Sequence, residues 1–256
     1  MSKLIDKLQR MGKGSAPGLG FRVAAASKGP PLLLILRLAG LDAKLGAAAV
    51  KGGADAVLIN AGEALERGKI RKSKLEALGD VPWGMGWEAE SLKDMEPLVK
   101  GGCDFIVLEA AGAPAGVLLG RKGLGRVLVI EPSLADGLLR AVDLMPVDAV
   151  LLRKGLEAQP SLTVEHLMVC RRVTAFIHKP LLVEVSPQID GDGLKALGEV
   201  GGKGVVVGLG AQEAAARLKE LRQTIDELPA ARREGTDVVL PRLETAVEPP
   251  GEEEDQ

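Results

Sequence analysis

The sequence predicts an α/β fold, a single closed parallel (β/α)8 barrel. Three observations point to it: short strands that are apolar on both faces, helical stretches between them, and an internal echo. VKGGADAVLIN begins at Val50 and VKGGCDFIVLE begins at Val99, 49 residues later. MPVDAVLLRK from Met145 and VGGKGVVVGLG from Val200 are looser copies. Each reads as a helix end, a Gly or Pro stop, and a β-branched run. A spacing of 49 residues holds two strand–helix units rather than one small solenoid repeat. Strands without polar alternation are buried on both faces, which implies a parallel sheet. Eight such units in roughly 200 residues fit a barrel. An open doubly wound sheet is the rival, but LRLAGLDAKLG after the first strand is not the glycine fingerprint it would carry.

The elements follow in order. The strands are Leu32–Arg37, Ala56–Asn60, Trp83–Glu88, Phe105–Glu109, Val127–Glu131, Ala149–Arg153, Leu181–Ser186 and Gly204–Gly208. Helical periodicity marks Asp42–Lys51, Leu92–Lys100, Leu134–Asp143, Val164–Ile177, Gly193–Val200 and Ala211–Glu227. The second connection, Glu63–Leu78, reads as a broken helix, and the fourth, GAPAGVLLGRKGLG, is short and glycine-rich. The chain thus divides into an N-terminal helix and loop (residues 1–30), the barrel (31–228) and a C-terminal extension (229–256). The helix, Met1–Lys13, is placed to close the bottom of the barrel. The extension ends in an acidic, proline-bearing stretch from Glu248, a composition that predicts disorder.

Composition narrows the function classes. An apolar share of 46% suffices for a sizeable core, and a formal charge of -2 offers no basic field for nucleic acid. No apolar run reaches the roughly 18 residues of a membrane span, and the N-terminus lacks the apolar core of a signal peptide. Cys103 and Cys170 suit unpaired thiols in a reducing compartment, so the expected setting is the cytoplasm. Two histidines, His166 and His178, are too few for a histidine-based metal site.

In a barrel of this kind the chemistry gathers where strands run into the loops after them. The last polar residues of the strands are Arg37, Asn60, Glu88, Glu109, Glu131, Arg153 with Lys154, Glu184 with Ser186, and then Gly208. Glu88, Glu109 and Glu131 end three consecutive strands, in the parallel settings GWE, VLE and VIE, which suggests a common register. Carboxylates converging on one mouth repel. They require a shared proton, a neighbouring Arg37, Arg153 or Lys154, or a hard cation. With a cation, Glu109 and Glu131 would ligate Mg²⁺ through oxygen alone; no cofactor is otherwise indicated. A one-residue slip turns a side chain away from the lumen, so Arg153 and Lys154 cannot both point inward as strand residues.

PWGMGWE, residues 82–88, carries both tryptophans of a chain with no tyrosine. On a strand, Gly84, Gly86 and Glu88 share one face while Trp83, Met85 and Trp87 share the other. If Glu88 faces the lumen, the glycines leave room beneath it and the indoles pack under the helices. The alternative places Trp87 at the mouth, beside a carboxylate.

EVSPQIDGDGLKALGEVGGKGVVVGLGAQEAAARL, from Glu184 to Leu218, resembles the end of the ribulose-phosphate-binding, aldolase-type barrels. Phosphoribosyl isomerases, indole-glycerol-phosphate synthase and thiamine-phosphate synthase are among them. GVVVGLGAQEA carries the resemblance, with Gly208 and Gly210 at the turn after the eighth strand. The resemblance implies a phosphate cradled by backbone N–H groups there and at Ser186. In place of the family's paired glycines, Pro187 and Gln188 follow Ser186, and proline has no N–H to offer.

Two readings follow. The first is an isomerase or lyase that moves a proton next to a carbonyl on a small anionic substrate, with a phosphorylated one as the narrower case. Glu88, Glu109, Glu131 and Lys154 are its catalytic candidates; Arg37, Asn60, Arg153, Ser186, Gly208 and Gly210 are its binding candidates. In Schiff-base aldolases of this fold the lysine stands on the sixth strand, as Lys154 nearly does. The second reading is a non-catalytic barrel, such as a homo-oligomer or scaffold component. A Mg²⁺-dependent lyase and a flavin-dependent oxidoreductase are lesser options, and nothing in the residues singles out flavin. The expected partners are a small anion and, as a second option, further copies of the chain in a homo-oligomer; nucleic acid and membrane are not expected.

Overall fold

The computed structural model describes residues 2–12, 30–40, 43–60, 75–87, 95–119, 123–153, 159–210 and 214–229. Eight strands run in chain order: β1 Leu33–Leu38, β2 Ala56–Ile59, β3 Trp83–Trp87, β4 Phe105–Glu109, β5 Gly125–Ile130, β6 Ala149–Leu152, β7 Leu181–Val185 and β8 Gly202–Gly208. Each pairs in parallel with its neighbours, and β8 pairs with β1, which closes the ring. Seven α-helices lie among the described residues: α1 Lys3–Gly12, α2 Ala43–Lys51, α3 Met95–Lys100, α4 Asp136–Leu144, α5 Val164–Phe176, α6 Gly191–Glu199 and α7 Ala214–Glu227. The fold is the predicted (β/α)8 barrel.

Strand ends differ from expectation by a few residues. β5 begins at Gly125 and β8 at Gly202, because pairing with Phe105 and Leu181 draws in glycines that have little strand preference of their own. The fourth connection holds no α-helix among the described residues, only a 3₁₀ turn at Ala115–Leu119. A second 3₁₀ turn, Glu76–Leu78, ends the second connection; residues 61–74 and the acidic tail lie outside the described residues. Elsewhere local chemistry sets the helix starts. Thr163 caps α5 in a reciprocal box with His166, and the Asp190 carboxylate accepts the Gly193 N–H at 2.8 Å to cap α6.

Two apolar layers result from strand alternation. Leu33, Ile35, Leu58, Val107, Val129, Leu151 and Val206 point into the lumen. Leu34, Leu36, Ile59, Ile106, Val150, Val183 and Val207 point out under the helices. Trp83 belongs to this outer layer and is 7% exposed. Gly84, on the opposite face, lies against the Phe105 ring, where a Cβ would collide. Phe105 thus fills the lumen that the glycine vacates. For Trp83 the packing reading of PWGMGWE holds. Among the described residues, the Ile59 carbonyl, at 4.0 Å, is what a Cβ on Gly86 would meet.

The floor of the barrel is plugged by α1. Leu4, Ile5 and Leu8 are buried in the lumen cluster, each such side chain contributing about 2 kcal/mol. Asp104 anchors the start of the helix by accepting from Ser2 Oγ at 2.8 Å, Lys3 N at 2.7 Å and Leu4 N at 2.9 Å. Gly125 makes room, since a Cβ there would meet Ile5 Cγ1 and Ser2 Oγ at 2.8 Å.

The internal echo has its physical basis on this floor. Asp55 donates its N–H to the Leu34 carbonyl at 2.8 Å and accepts the Leu34 N–H on its carboxylate at 3.0 Å. Asp148 does the same with Arg126, both bonds at 2.8 Å. Asp104 keeps the first bond, to the Trp83 carbonyl, but gives its carboxylate to α1. Asp55 also meets Arg222 of α7 at 2.9 Å and Lys7 of α1 at 3.3 Å, so one carboxylate joins three elements.

Candidate functional site

At the other end of the ring, Arg37, Asn60, Glu109, Glu131, Arg153, Glu184 and Gly208 continue the lumen-facing parity of Ile35, Leu58, Val107, Val129, Leu151, Leu182 and Val206. The structure draws four of them into one chain of charges. Glu184, on β7, is only 2% exposed. Arg37 Nη2, from β1, reaches its Oε1 at 2.9 Å, and Arg153 Nε, just past β6, reaches its Oε2 at 2.9 Å. Arg153 Nη1 continues to Glu109 Oε1 on β4 at 2.7 Å. Two cations and two anions alternate across the mouth. A buried carboxylate is costly unless each oxygen is satisfied, and a guanidinium on each oxygen does that.

The four members differ in their access to water. Arg37 is 32% exposed, Arg153 19% and Glu109 45%. Glu184 is therefore the buried anchor and Glu109 the exposed end. Arg37 lies over Gly208, whose Cβ position is 3.6 Å from Arg37 Nη2.

The register alters the picture of matched glutamates. Glu109 is level with Val129, so Glu131 stands two residues further along β5, or roughly 6–7 Å higher at the strand rise. The common register expected of the glutamates does not extend to Glu131. Among the described residues, Glu109 is faced by Arg153. Glu88 and Lys154 lie outside the described residues. Among the described residues no three His, Cys, Asp or Glu side chains come close enough to hold a metal ion.

The remaining binding candidates are dispersed. Asn60 donates its backbone N–H to Leu38 at 3.0 Å and is not part of the charge chain. Ser186 is buried; its hydroxyl donates to Gln188 Oε1 and accepts the Gln188 N–H at 3.3 Å. Arg217 of α7 ties this turn by donating to the Pro187 carbonyl at 2.6 Å and the Ile189 carbonyl at 2.8 Å. No described residue lies within 4 Å of the Gly210 Cβ position, and residues 211–213 lie outside the described residues.

Glu184 is the member that the sequence shows at a strand end but that was not among the catalytic or binding candidates. Its signal was a charged residue within LLVEVS, on the lumen parity of an otherwise apolar strand. The two cysteines take no part. Both are buried free thiols, and burial pushes each up to about 12.

No protein-family model matches the chain, and no curated protein matches it. Solved structures do. The tryptophan synthase α subunit of Legionella pneumophila str. Paris is 16% identical with a TM-score of 0.59, over 89% of this chain and 100% of that one. Its fold is the aldolase-type (β/α)8 barrel. Mycobacterium tuberculosis tryptophan synthase is 16% identical with a TM-score of 0.58, over 76% of this chain and 93% of that one. A mutant α subunit from the hyperthermophile Pyrococcus furiosus is 13% identical with a TM-score of 0.56, over 77% and 98%. At these identities the likeness is one of fold. Among the described residues no helix is long and apolar enough to cross a membrane.

Proposed function

We propose that the mouth binds a small anionic, phosphorylated substrate and that the chain is an isomerase or lyase acting by proton transfer beside a carbonyl. One observation carries this reading: Arg37 and Arg153 are fixed on the two oxygens of the buried Glu184 at the catalytic end of the barrel. A guanidinium has five N–H donors, so the bonds to Glu184 leave each arginine donors for a ligand. The two cations, held by one anchor, form a preorganised cradle for negative charge. Glu109 is the accessible carboxylate beside it. It is the candidate base.

In the proposed step Glu109 takes the proton from a carbon next to a substrate carbonyl. The C–H electron pair moves into the new C=C bond, and the carbonyl oxygen becomes an oxyanion held by a guanidinium. Where that carbon bears a hydroxyl, return of the proton to the former carbonyl carbon, with the hydroxyl proton passing to the oxyanion and the hydroxyl carbon becoming the new carbonyl, completes an isomerisation; re-formation of the carbonyl with departure of a β-substituent, which takes its bonding pair, completes an elimination. Glu131, Glu88 and Lys154 remain candidates for the returning acid, and Gly208 and Gly210 for the phosphate contact. The barrel neighbours are subunits of an enzyme, tryptophan synthase, which supports a catalytic use of the fold.

The test is a panel of inorganic phosphate, glycerol phosphate and small sugar phosphates. Thermal shift reads binding, and proton NMR in D₂O reads loss of the signal from the carbon next to the carbonyl. Anions should raise the melting temperature of the unmodified protein and not of Arg37→Met. If no anion shifts the unmodified protein, the anion site is wrong. Binding without any exchange would favour the non-catalytic barrel, a reading that the pairing of all four charges also supports.

A further inference from the structure

We propose that Glu109 is a built-in competitor for the anion at Arg153, and that ligand binding releases it as a free carboxylate. The inference rests on the anion-binding reading above and adds a coupling to it.

The two ends of the Arg153 guanidinium are not equivalent. Its Nε edge bonds Glu184, a carboxylate 2% exposed whose other oxygen is held by Arg37. Leaving that bond would strand a buried charge, so this edge is fixed. Its Nη1 bonds Glu109 at 2.7 Å, and that side chain is 45% exposed. Water can take over from a half-exposed partner at little cost, so this edge is exchangeable. Arg153 is the side-chain partner shown for Glu109 among the described residues. The backbone of Glu109 is held separately, its carbonyl accepting the N–H groups of Gly112 and Ala113. The side chain can therefore leave without disturbing β4.

An anion entering the mouth meets Nη1 already occupied by a carboxylate. To bind, it must displace Glu109. Once displaced, Glu109 is an unpaired carboxylate next to the bound ligand, which is where a base is needed. Without a ligand the same group neutralises Arg153. Anion binding and base release are thus one equilibrium, and each must favour the other to the same extent. The chemistry selected is a doubly charged phosphate ester over a lone carboxylate, because the ligand must outcompete a carboxylate already in place.

The experiment measures the dissociation constant of inorganic phosphate by calorimetry on the full chain at about 0.15 M salt, where distant charges are screened. Glu109→Gln and Glu109→Ala should each bind phosphate more tightly than the unmodified protein, by up to roughly fivefold, the factor equivalent to a partly exposed ion pair. Arg153→Met should lose the binding. Glu131→Gln removes the same charge from a higher point on the mouth and should change affinity much less. Equal or weaker binding by both Glu109 variants, with binding by the unmodified protein intact, overturns the competitor role and leaves the anion site standing. Equal tightening by Glu131→Gln also overturns it, since the effect would then be one of general charge. Absence of phosphate binding in the unmodified protein and every variant overturns both proposals.

Discussion

Glu184→Gln separates a charge anchor from an incidental polar contact. The substitution keeps the shape and removes one negative charge between two guanidiniums, both 2.9 Å away. Removing one partner of a fully buried ion pair costs about 3–5 kcal/mol. Here the upper figure must be reduced. Arg153 keeps Glu109, and Arg37 is 32% exposed, so water screens part of the unbalanced charge. The amide oxygen of Gln can still accept from one arginine, but its NH₂ would face the other. A loss of about 2–3 kcal/mol results, which for a barrel of this size lowers the melting temperature by roughly 5–10 °C. Urea denaturation checks it: the midpoint should fall with the slope unchanged. Adding Arg37→Met to Glu184→Gln should cost less than the two single losses summed, because the first substitution has already broken the shared bond. A change under about 0.5 kcal/mol for Glu184→Gln, within the range of ordinary surface substitutions, would refute the anchor argument.

Four further outcomes are expected. Gly84→Ala should destabilise by roughly 2–3 kcal/mol or more, since the new methyl collides with both the Phe105 ring and the Phe105 carbonyl; adding Phe105→Leu should relieve only the ring's share in denaturant titrations. Asp55→Ala should cost about 3 kcal/mol, because Arg222, only 16% exposed, loses its Asp55 contact; calorimetric unfolding measures this. Cys103 and Cys170 should resist alkylation at neutral pH until the protein unfolds, so mass spectrometry after brief iodoacetamide treatment should find no adduct on the native chain. For Asp143, burial raises the carboxyl, but hydrogen bonds from the His178 side chain and backbone and the charges of His178 and Lys179 hold it below its ordinary value of 3.8. Its contribution is therefore full above that value and is lost as pH falls through the lower folded value. The stability gap to Asp143→Asn should be open near pH 5, where His178 can still carry its charge, and close in stronger acid.

The barrel was legible because its strands are local apolar runs. Val107 and Val129 announce their lumen parity within a few residues, and the same alternation carries on to Glu109 and Arg153. The charge chain was less legible. Arg153 and Glu184 come from the neighbouring β6 and β7, but Arg37, on β1, reaches Glu184 only because β8 closes the ring beside β1. No local pattern encodes that meeting. The offset of Glu131 from Glu109 was hidden for a related reason: the stagger between neighbouring strands is a property of the whole barrel, not of either strand. Glu184 could have been promoted, since a carboxylate inside LLVEVS must find a cation wherever the strand is buried.

The paired bonds of Asp55 to Leu34 and of Asp148 to Arg126 have a consequence for how this protein can change over time. A slip of one residue would turn every lumen side chain of a strand outward. Each aspartate prevents it by gripping one residue of the preceding strand through both a main-chain and a side-chain bond. Alignment is thus locked at the ends of the strands remote from the mouth. Insertions and deletions in the connections that leave the mouth need not preserve it. Such connections can be edited, lengthened or exchanged while the strands beneath keep their places, so new specificities can be tried without first re-inventing the barrel.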